Sequence, residues 1–106
     1  MIHIASIRQL CEAQSFRWTN HVAARMLKRN IETYDVINAL ENGEVIEQYP
    51  DDYPFPSCLV SGLAIDNQPM HVVCGIGDGE LWLITAYRPD ADEWTHDFKA
   101  RKERDS

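Results

Sequence analysis

The feature that most constrains the fold is the segment 58–88, which holds three apolar stretches separated by two short turns. Asp66-Asn67 and Gly77-Asp78-Gly79 interrupt the apolar pattern with residues that favour tight turns. Strands joined by such short turns pair antiparallel, because a parallel pair needs a long crossover connection. The segment therefore predicts an antiparallel meander, with strands over about 58–65, 68–76 and 80–88.

The first half of the chain has the periodicity of helices. Apolar residues three and four positions apart predict three helices, over about 5–14, 21–29 and 33–41. Asn30 suits a left-handed end to the second helix, whereas Glu32 is a poor capping residue for the third. Residues 44–49 add a strand, and residues 16–18 are either a strand or an extended lead-in. The predicted fold class is α+β, with N-terminal helices packed on a four-stranded antiparallel meander sheet.

Length and composition indicate a single domain over residues 1–106, because the chain is long enough for one hydrophobic core. Trp94 and Phe98 are four residues apart and suit a short docking helix, and the charged tail 99–106 is expected to fray. No stretch of about 18 apolar residues occurs, and residues 1–5 lack the pattern of a signal peptide. We therefore expect a cytoplasmic protein that does not bind membranes.

The charge of the chain limits its partners. The net charge of −7 disfavours binding of nucleic acid by bulk electrostatics. The acid excess lies mostly after residue 50, since residues 1–50 carry five Lys or Arg against six Asp or Glu. A local basic surface on an N-terminal helix therefore remains open, as does a basic partner for the acidic side. The three cysteines and four histidines lack metal-ligand spacing, and we predict neither a metal nor a cofactor.

The turns also predict which residues of the meander face each other. A three-residue turn at 77–79 would place His71 opposite Thr85, and a two-residue turn at Asp66-Asn67 would place it opposite Gly62. Tyr87 would share that face, which is expected to lie towards the second helix. A two-residue Asp78-Gly79 turn would shift this register. The other, more apolar face is expected to pack under the helices, and it comprises Leu59, Leu63, Ile65, Met70, Val72, Cys74, Ile76, Trp82, Ile84 and Ala86.

A basic row on the second helix is the first candidate for function. His21, Arg25 and Arg29 follow each other at intervals of four and so share one helix face. The helix dipole disfavours a charged histidine in the first turn, which would keep His21 available as a base near neutral pH. The arginines suit phosphate binding. The alternative is a solvated helix face whose basic residues serve solubility.

The end of the last strand is the second candidate. His71 is either a core histidine bonded to a hydroxyl such as that of Thr85, or a site residue with space above it. Tyr87 is either a core aromatic or a hydroxyl at the rim of a cleft. Arg88 is either a phosphate ligand or a charge that protects a sheet edge from aggregation.

Four segments together resemble a family of small bacterial proteins called domain of unknown function 4258. The segments are TNHVAARMLKRNI (19–31), VINALENGEVIEQYP (36–50), HVVCGI (71–76) and LITAYRPDADEW (83–94). The resemblance covers about residues 16–101 and leaves residues 1–15 as an N-terminal helical extension. The family is similar to toxin-like proteins with a RelE or barnase/colicin type of fold. The resemblance thus implies a RelE-like fold and the toxin component of a toxin-antitoxin system.

The activity implied by this resemblance is metal-independent cleavage of messenger RNA, with the ribosome and a zinc-finger antitoxin as expected partners. Such cleavage needs a base, an acid and cations for the phosphate charge. His21, His71 and Tyr87 fit the catalytic roles. The residues that fit substrate binding are Arg25, Arg29, Thr85 and Arg88. The alternative is a non-catalytic interaction module of the same fold, which binds a protein partner or a small anion.

Overall fold

A computed structural model describes residues 1–103, with three helices and five strands. The helices are α1 (Ile4–Glu12), α2 (Asn20–Lys28) and α3 (Thr33–Asn42). The strands are β1 (Phe16–Trp18), β2 (Glu44–Tyr49), β3 (Ser57–Leu63), β4 (Pro69–Gly77) and β5 (Glu80–Tyr87). The chain is thus α+β, as the periodicity predicts. No helix in this part of the chain is long and apolar enough to span a membrane.

The sheet differs from the prediction by one strand. It has five strands in the order β1-β5-β4-β3-β2, and β1 pairs with β5 in parallel. The predicted four-stranded antiparallel sheet is therefore wrong in this detail. Residues 16–18 cover the edge of β5 that would otherwise be open, and the Leu81 amide donates to the Ser15 carbonyl at 2.8 Å. A parallel pair is feasible here because the long intervening chain, with two helices and three strands, supplies the crossover.

The helix ends follow local hydrogen bonding. Thr19 caps α2, since its hydroxyl accepts from the Val22 amide at 3.1 Å, and Asn30 follows α2 with a left-handed φ of 57°, as predicted. Glu32 caps α3 better than its type suggests. The Asp35 carboxylate accepts from the Glu32 amide at 3.0 Å, and the Glu32 carboxylate accepts from the Asp35 amide in return. The two acids therefore form a reciprocal capping box.

The main core lies between the helices and one face of the sheet. Its buried members include Ile7 of α1, Met26 of α2 and Leu40 of α3. They pack on Val60 of β3 and Leu83 of β5, among other residues. Helix α3 lies directly on β3, because a Cβ atom added at Gly62 would come within 2.9 Å of the Ala39 Cα atom. Glycine at this position permits the close approach.

The first hairpin has a register one residue away from the predicted one. Its loop has three residues, 65–67, closed by the Ala64 amide donating to the Gln68 carbonyl at 2.9 Å, with Asn67 at a φ of 64°. This is the usual form of a three-residue hairpin, in which a left-handed residue ends the turn. His71 is consequently opposite Ser61, and the predicted pairing with Gly62 is wrong.

The second hairpin has the shorter of the two turns considered. Asp78 and Gly79 both have positive φ, 53° and 73°, which makes a two-residue turn of the kind that hairpins favour. A bulge near Ile84 then shifts the pairing of β4 with β5. His71 is therefore opposite Tyr87 instead of Thr85, and Thr85 is opposite Val73.

These shifts change which side chains line each face of the sheet. The predicted register places Val60, Leu81 and Leu83 on the same face as His71 and Thr85. In the structure these three residues belong to the main core. Four residues predicted to lie under the helices are on the side turned away from them: Leu59, Leu63, Trp82 and Ile84. We call that side the open face. Its three rows across β3, β4 and β5 are Ser61-His71-Tyr87, Leu59-Val73-Thr85 and Ser57-Gly75-Trp82.

The segment after β5 folds back over the open face without forming the predicted short helix. Trp94 is buried and pairs with Arg101 in an isolated bridge, and Phe98 has a left-handed φ of 60°. The tail expected to fray from residue 99 includes Lys99 and Arg101. Their side chains pair with Glu44 and Glu47 at 3.1 and 2.9 Å. Residues 104–106 of that tail lie outside the described residues.

Candidate functional site

The open face is covered at both ends and accessible between them. At one end the Phe55 ring takes the place that a Cβ atom would occupy at Gly77, and it packs on Trp82 with ring centres 5.4 Å apart. At the other end Trp94 stands edge-on against the His71 ring at 4.5 Å. Thr85 is in the row between the two covers, beside the end of α2. The candidate site comprises this region and the polar groups around it.

His71 and Tyr87 form a hydrogen-bonded pair on the open face. His71 is fully buried, and both of its ring nitrogens have partners. Its Nε2 atom lies 2.8 Å from the Phe98 carbonyl oxygen, and its Nδ1 atom lies 3.2 Å from the Tyr87 hydroxyl. A carbonyl only accepts, so Nε2 carries the proton and Nδ1 accepts the Tyr87 hydroxyl proton. In this arrangement His71 orients Tyr87 and has no ring nitrogen free for a substrate.

The pair is neutral near neutral pH. Burial lowers the pKa of His71, and the Phe98 carbonyl and the Glu47 carboxylate oppose that effect without reversing it. Burial also raises the pKa of Tyr87, with Arg101 opposing. The proton shared between the two side chains therefore stays in a neutral hydrogen bond. Tyr87, which is half-buried, is the member of the pair that reaches towards solvent.

A second polar cluster lies next to the pair, and no pattern in the sequence predicts it. Arg101 forms a two-pronged ion pair with Glu47, with nitrogen-oxygen distances of 2.9 and 3.2 Å. Its guanidinium carbon lies 4.7 Å from the centre of the Trp94 ring. Tyr49 donates its hydroxyl proton to the Glu47 carboxylate. Arg101 belongs to the tail that is expected to fray, so only the path of the chain after β5 reveals the ion pair between Arg101 and Glu47.

The ion pair and burial shift two pKa values in this cluster. The Arg101 guanidinium lowers the pKa of Glu47 by hydrogen bonding, although partial burial opposes it. Burial, followed by the hydrogen bond to Glu47, raises the pKa of Tyr49 to about 12. Glu47 is therefore ionised and Tyr49 protonated across the physiological range. The cluster anchors the C-terminal segment over His71.

Two arginines, Arg29 directly after α2 and Arg88 directly after β5, donate hydrogen bonds to backbone carbonyls. Arg29 donates through Nη1 to the Ala86 carbonyl at 2.7 Å and to the Thr85 hydroxyl at 3.2 Å. Arg88 donates to the carbonyls of Arg29 and Asn30 at 3.2 and 3.4 Å. These contacts join the C-terminal end of α2 to the end of β5. Both guanidinium groups remain exposed, with donors to spare for an anion.

The other two members of the basic row point into solvent. His21 and Arg25 are exposed, and within residues 1–103 neither side chain forms a hydrogen bond or an ion pair. His21 lines a cavity of about 410 Å³ together with Trp82 and Ile84 of the open face. Their freedom from structural contacts leaves both side chains available to a ligand.

The structure thus brings together part of the predicted site, and it leaves His21 beside Trp82, at the other end of the open face from His71 and Tyr87. Arg29 contacts Thr85, and Tyr87 follows two residues later beside His71, so one continuous strip joins α2 to the buried pair. His71 itself lies under the C-terminal segment and not under α2, which differs from the predicted orientation. Among the described residues no three His, Cys, Asp or Glu side chains converge as metal ligands do.

Three helices on one face of a mixed five-stranded sheet, with polar side chains on the other, define a small α+β protein with an open-face site. The family described as Domain of unknown function (DUF4258) matches residues 18–88, and the chain belongs to this family. The match includes α2, α3 and strands β2 to β5, and it ends at Arg88 before the C-terminal segment. Neither the curated proteins nor the solved structures include a significant match.

Proposed function

We propose that this protein is the toxin component of a toxin-antitoxin system, with a RelE-like fold, and that it cleaves messenger RNA in the cytoplasm without a metal. The zinc-finger antitoxin expected from the family resemblance would be its partner, and the ribosome would present the RNA. The proposal rests on one observation: the basic row of α2 meets the open face at Thr85, two residues from the Tyr87–His71 pair.

The row supplies cations for an RNA backbone despite the net charge of −7. Arg25 is unpaired among residues 1–103, and Arg29 and Arg88 each keep donors beyond those used on carbonyls. An arginine fork matches the geometry of a phosphate. A local cluster of this kind binds a phosphate even where the whole chain is acidic, because interactions beyond about 10 Å are screened by salt.

Metal-independent cleavage is a transfer of the phosphorus from one oxygen to another. A base removes the proton of the ribose 2′-hydroxyl, the 2′-oxygen bonds to phosphorus, and the bond to the 5′-oxygen breaks as an acid protonates that oxygen. His21, exposed and unencumbered, fits the base. For Tyr87 to act as the acid, its hydroxyl proton must turn from the His71 Nδ1 atom to the 5′-oxygen, and the RNA must reach from His21 along the basic row to the Tyr87 end of the open face. This division differs from the predicted one, in which His71 itself exchanges a proton with the substrate.

Growth arrest on expression tests the proposal. Wild-type protein is expected to slow growth, and His21→Ala and Arg25→Ala are expected to relieve the arrest. His96→Ala is the matched control, since His96 is an exposed histidine of the C-terminal segment. In vitro, the wild type should cleave RNA in the presence of EDTA and leave 5′-hydroxyl ends. A wild type that neither slows growth nor cleaves RNA would contradict the proposal.

The second candidate is a non-catalytic module that binds a protein or a small anion through the same strip. The observation in its favour is that His71 is fully buried with both nitrogens bonded, as a structural histidine would be. This candidate predicts binding of a protein partner or of phosphate that depends on Arg25, without any cleavage of RNA. Measuring binding and cleavage on the same preparation separates the two.

A further inference from the structure

Beside the basic row lies a cavity of which the proposed chemistry uses only His21, at its rim. Its volume of about 410 Å³ is in the range of small-ligand sites. Three elements form it: the start of α2, the proline-rich loop between β2 and β3, and the open face of β4 and β5. The residues that line it are Thr19, His21, Asp52, Tyr53, Pro54, Phe55, Gly75, Trp82 and Ile84.

The aromatic side chains of this cavity are held in place or exposed at its rim. The Trp82 indole donates to the Gly77 carbonyl at 3.0 Å, and its ring packs against Phe55. Tyr53 is 96% exposed and lies within the loop between β2 and β3, which prolines stiffen. Ile84 is 40% exposed at the same place. Exposed aromatic rings such as Tyr53 stack with nucleobases, and the fixed ring of Trp82 does so at little entropic cost.

The polar group of the cavity favours a base over a phosphate. One oxygen of the Asp52 carboxylate accepts from the Ser57 hydroxyl, and the other makes no hydrogen bond within residues 1–103. A carboxylate repels phosphate but accepts the adjacent ring N–H and amino N–H donors of guanine. The phosphate is expected instead at Arg25, one helical turn from His21 and on the same helix face.

We propose that this cavity is a nucleobase subsite that takes a guanine of single-stranded RNA, with the adjoining phosphate on Arg25. The inference rests on the proposed RNA binding and adds the base that the site selects. Stacking on Tyr53 and Trp82 provides affinity, and the open oxygen of Asp52 provides the preference for guanine. If the cavity instead served a peptide side chain, the affinity of the protein for RNA would not depend on which base the RNA carries.

The test uses the full chain and two fluorescently labelled RNA hexamers, one of alternating guanine and uridine and one of uridine alone, at low salt. We expect the wild type to bind the guanine-containing hexamer about tenfold tighter than the uridine hexamer. Tyr53→Ala should weaken binding of the guanine-containing hexamer about tenfold or more. Tyr34→Ala is the matched control, since Tyr34 is an exposed tyrosine of α3 outside the cavity. Asp52→Asn should abolish the preference, so that the variant binds the two hexamers with equal affinity.

The outcomes separate the subsite from the function on which it rests. RNA binding that Arg25→Ala abolishes, but that ignores base identity and Tyr53→Ala, overturns the subsite and leaves the proposed function standing. A wild type that binds neither hexamer overturns both. Equal effects of Tyr53→Ala and Tyr34→Ala would also overturn the subsite, because the loss would then not come from the cavity.

Discussion

Replacing Gly62 by alanine should destabilise the protein severely, because helix α3 occupies the space that the new methyl group needs. A Cβ atom at this position would lie 2.8 Å from the Ala39 carbonyl carbon and 2.9 Å from its Cα atom. Ordinary van der Waals contact begins at 3.4 Å, so the α3 backbone must move by at least 0.6 Å. No side-chain rotation relieves the overlap, since every close atom belongs to the main chain.

The size of the effect follows from the cost of overpacking. Adding atoms to a well-packed core lowers the free energy of unfolding by about 1–3 kcal/mol, and a clash with rigid backbone lowers it by about 3 kcal/mol, at the upper end of this range. Replacing glycine also reduces the conformational entropy of the unfolded chain, and this effect raises the free energy of unfolding by less than about 1 kcal/mol. A net loss of about 2–3 kcal/mol corresponds to a Tm lower by roughly 10–20 °C for a domain of this size.

Urea unfolding followed by tryptophan fluorescence measures this loss as a change in midpoint at constant slope. Gly79→Ala is the control, because no atom lies within 4 Å of a Cβ atom added there. Its positive φ of 73° leaves only a backbone cost of about 1–2 kcal/mol. If Gly62→Ala proves no more destabilising than Gly79→Ala, α3 does not lie on β3 in the way described.

Two further predictions concern protonation and the C-terminal segment. Burial lowers the pKa of His71 in the folded state, so the contribution of neutral His71 to stability is complete above the unfolded pKa of 6.5 and falls as the pH drops below that value. His71→Gln should therefore flatten the pH dependence of the urea midpoint between pH 6.5 and 5. An unchanged pH dependence would contradict the lowered pKa of His71. Glu47→Gln removes the charge that pairs with Arg101, which is largely exposed, so it should cost only about 0.5–1 kcal/mol. The same variant should abolish the loss of stability below about pH 4.5 that the lowered pKa of Glu47 implies, and Trp94 fluorescence during acid titration would show whether the segment loosens.

The helices and strands were predictable because each leaves a local pattern. Apolar spacing marked the three helices, and the turn residues marked the meander. The register was not predictable from loop length alone. The turn at 65–67 has one more residue than expected and that at Asp78-Gly79 one fewer, while the bulge near Ile84 leaves no clear signal in the sequence. One-residue shifts exchange the faces of a strand, which is why Leu83 and Trp82 changed places.

The candidate site was predictable in its parts and not in its arrangement. The spacing of His21 and Arg25 fixed a shared helix face, and the alternation along β5 put Tyr87 with Thr85. A core position for His71 was one of two interpretations, and the sequence could not decide between them, because Trp94 and Phe98 cover the ring from a segment whose path depends on tertiary contacts. Arg101 carried no local signal for the same reason.

The position of the C-terminal segment separates the family match from the unit that folds. The match ends at Arg88, yet the residues that bury His71 follow it. A chain shortened to residues 18–88 would keep strands β2 to β5 but lose most of β1, the partner of the His71 Nε2 atom and the aromatic ring beside it. With less of its ring buried, the pKa of His71 would be lowered less than in the full chain. Homologous sequences that share the matched region but differ after it would therefore differ in the acid-base behaviour of the same histidine.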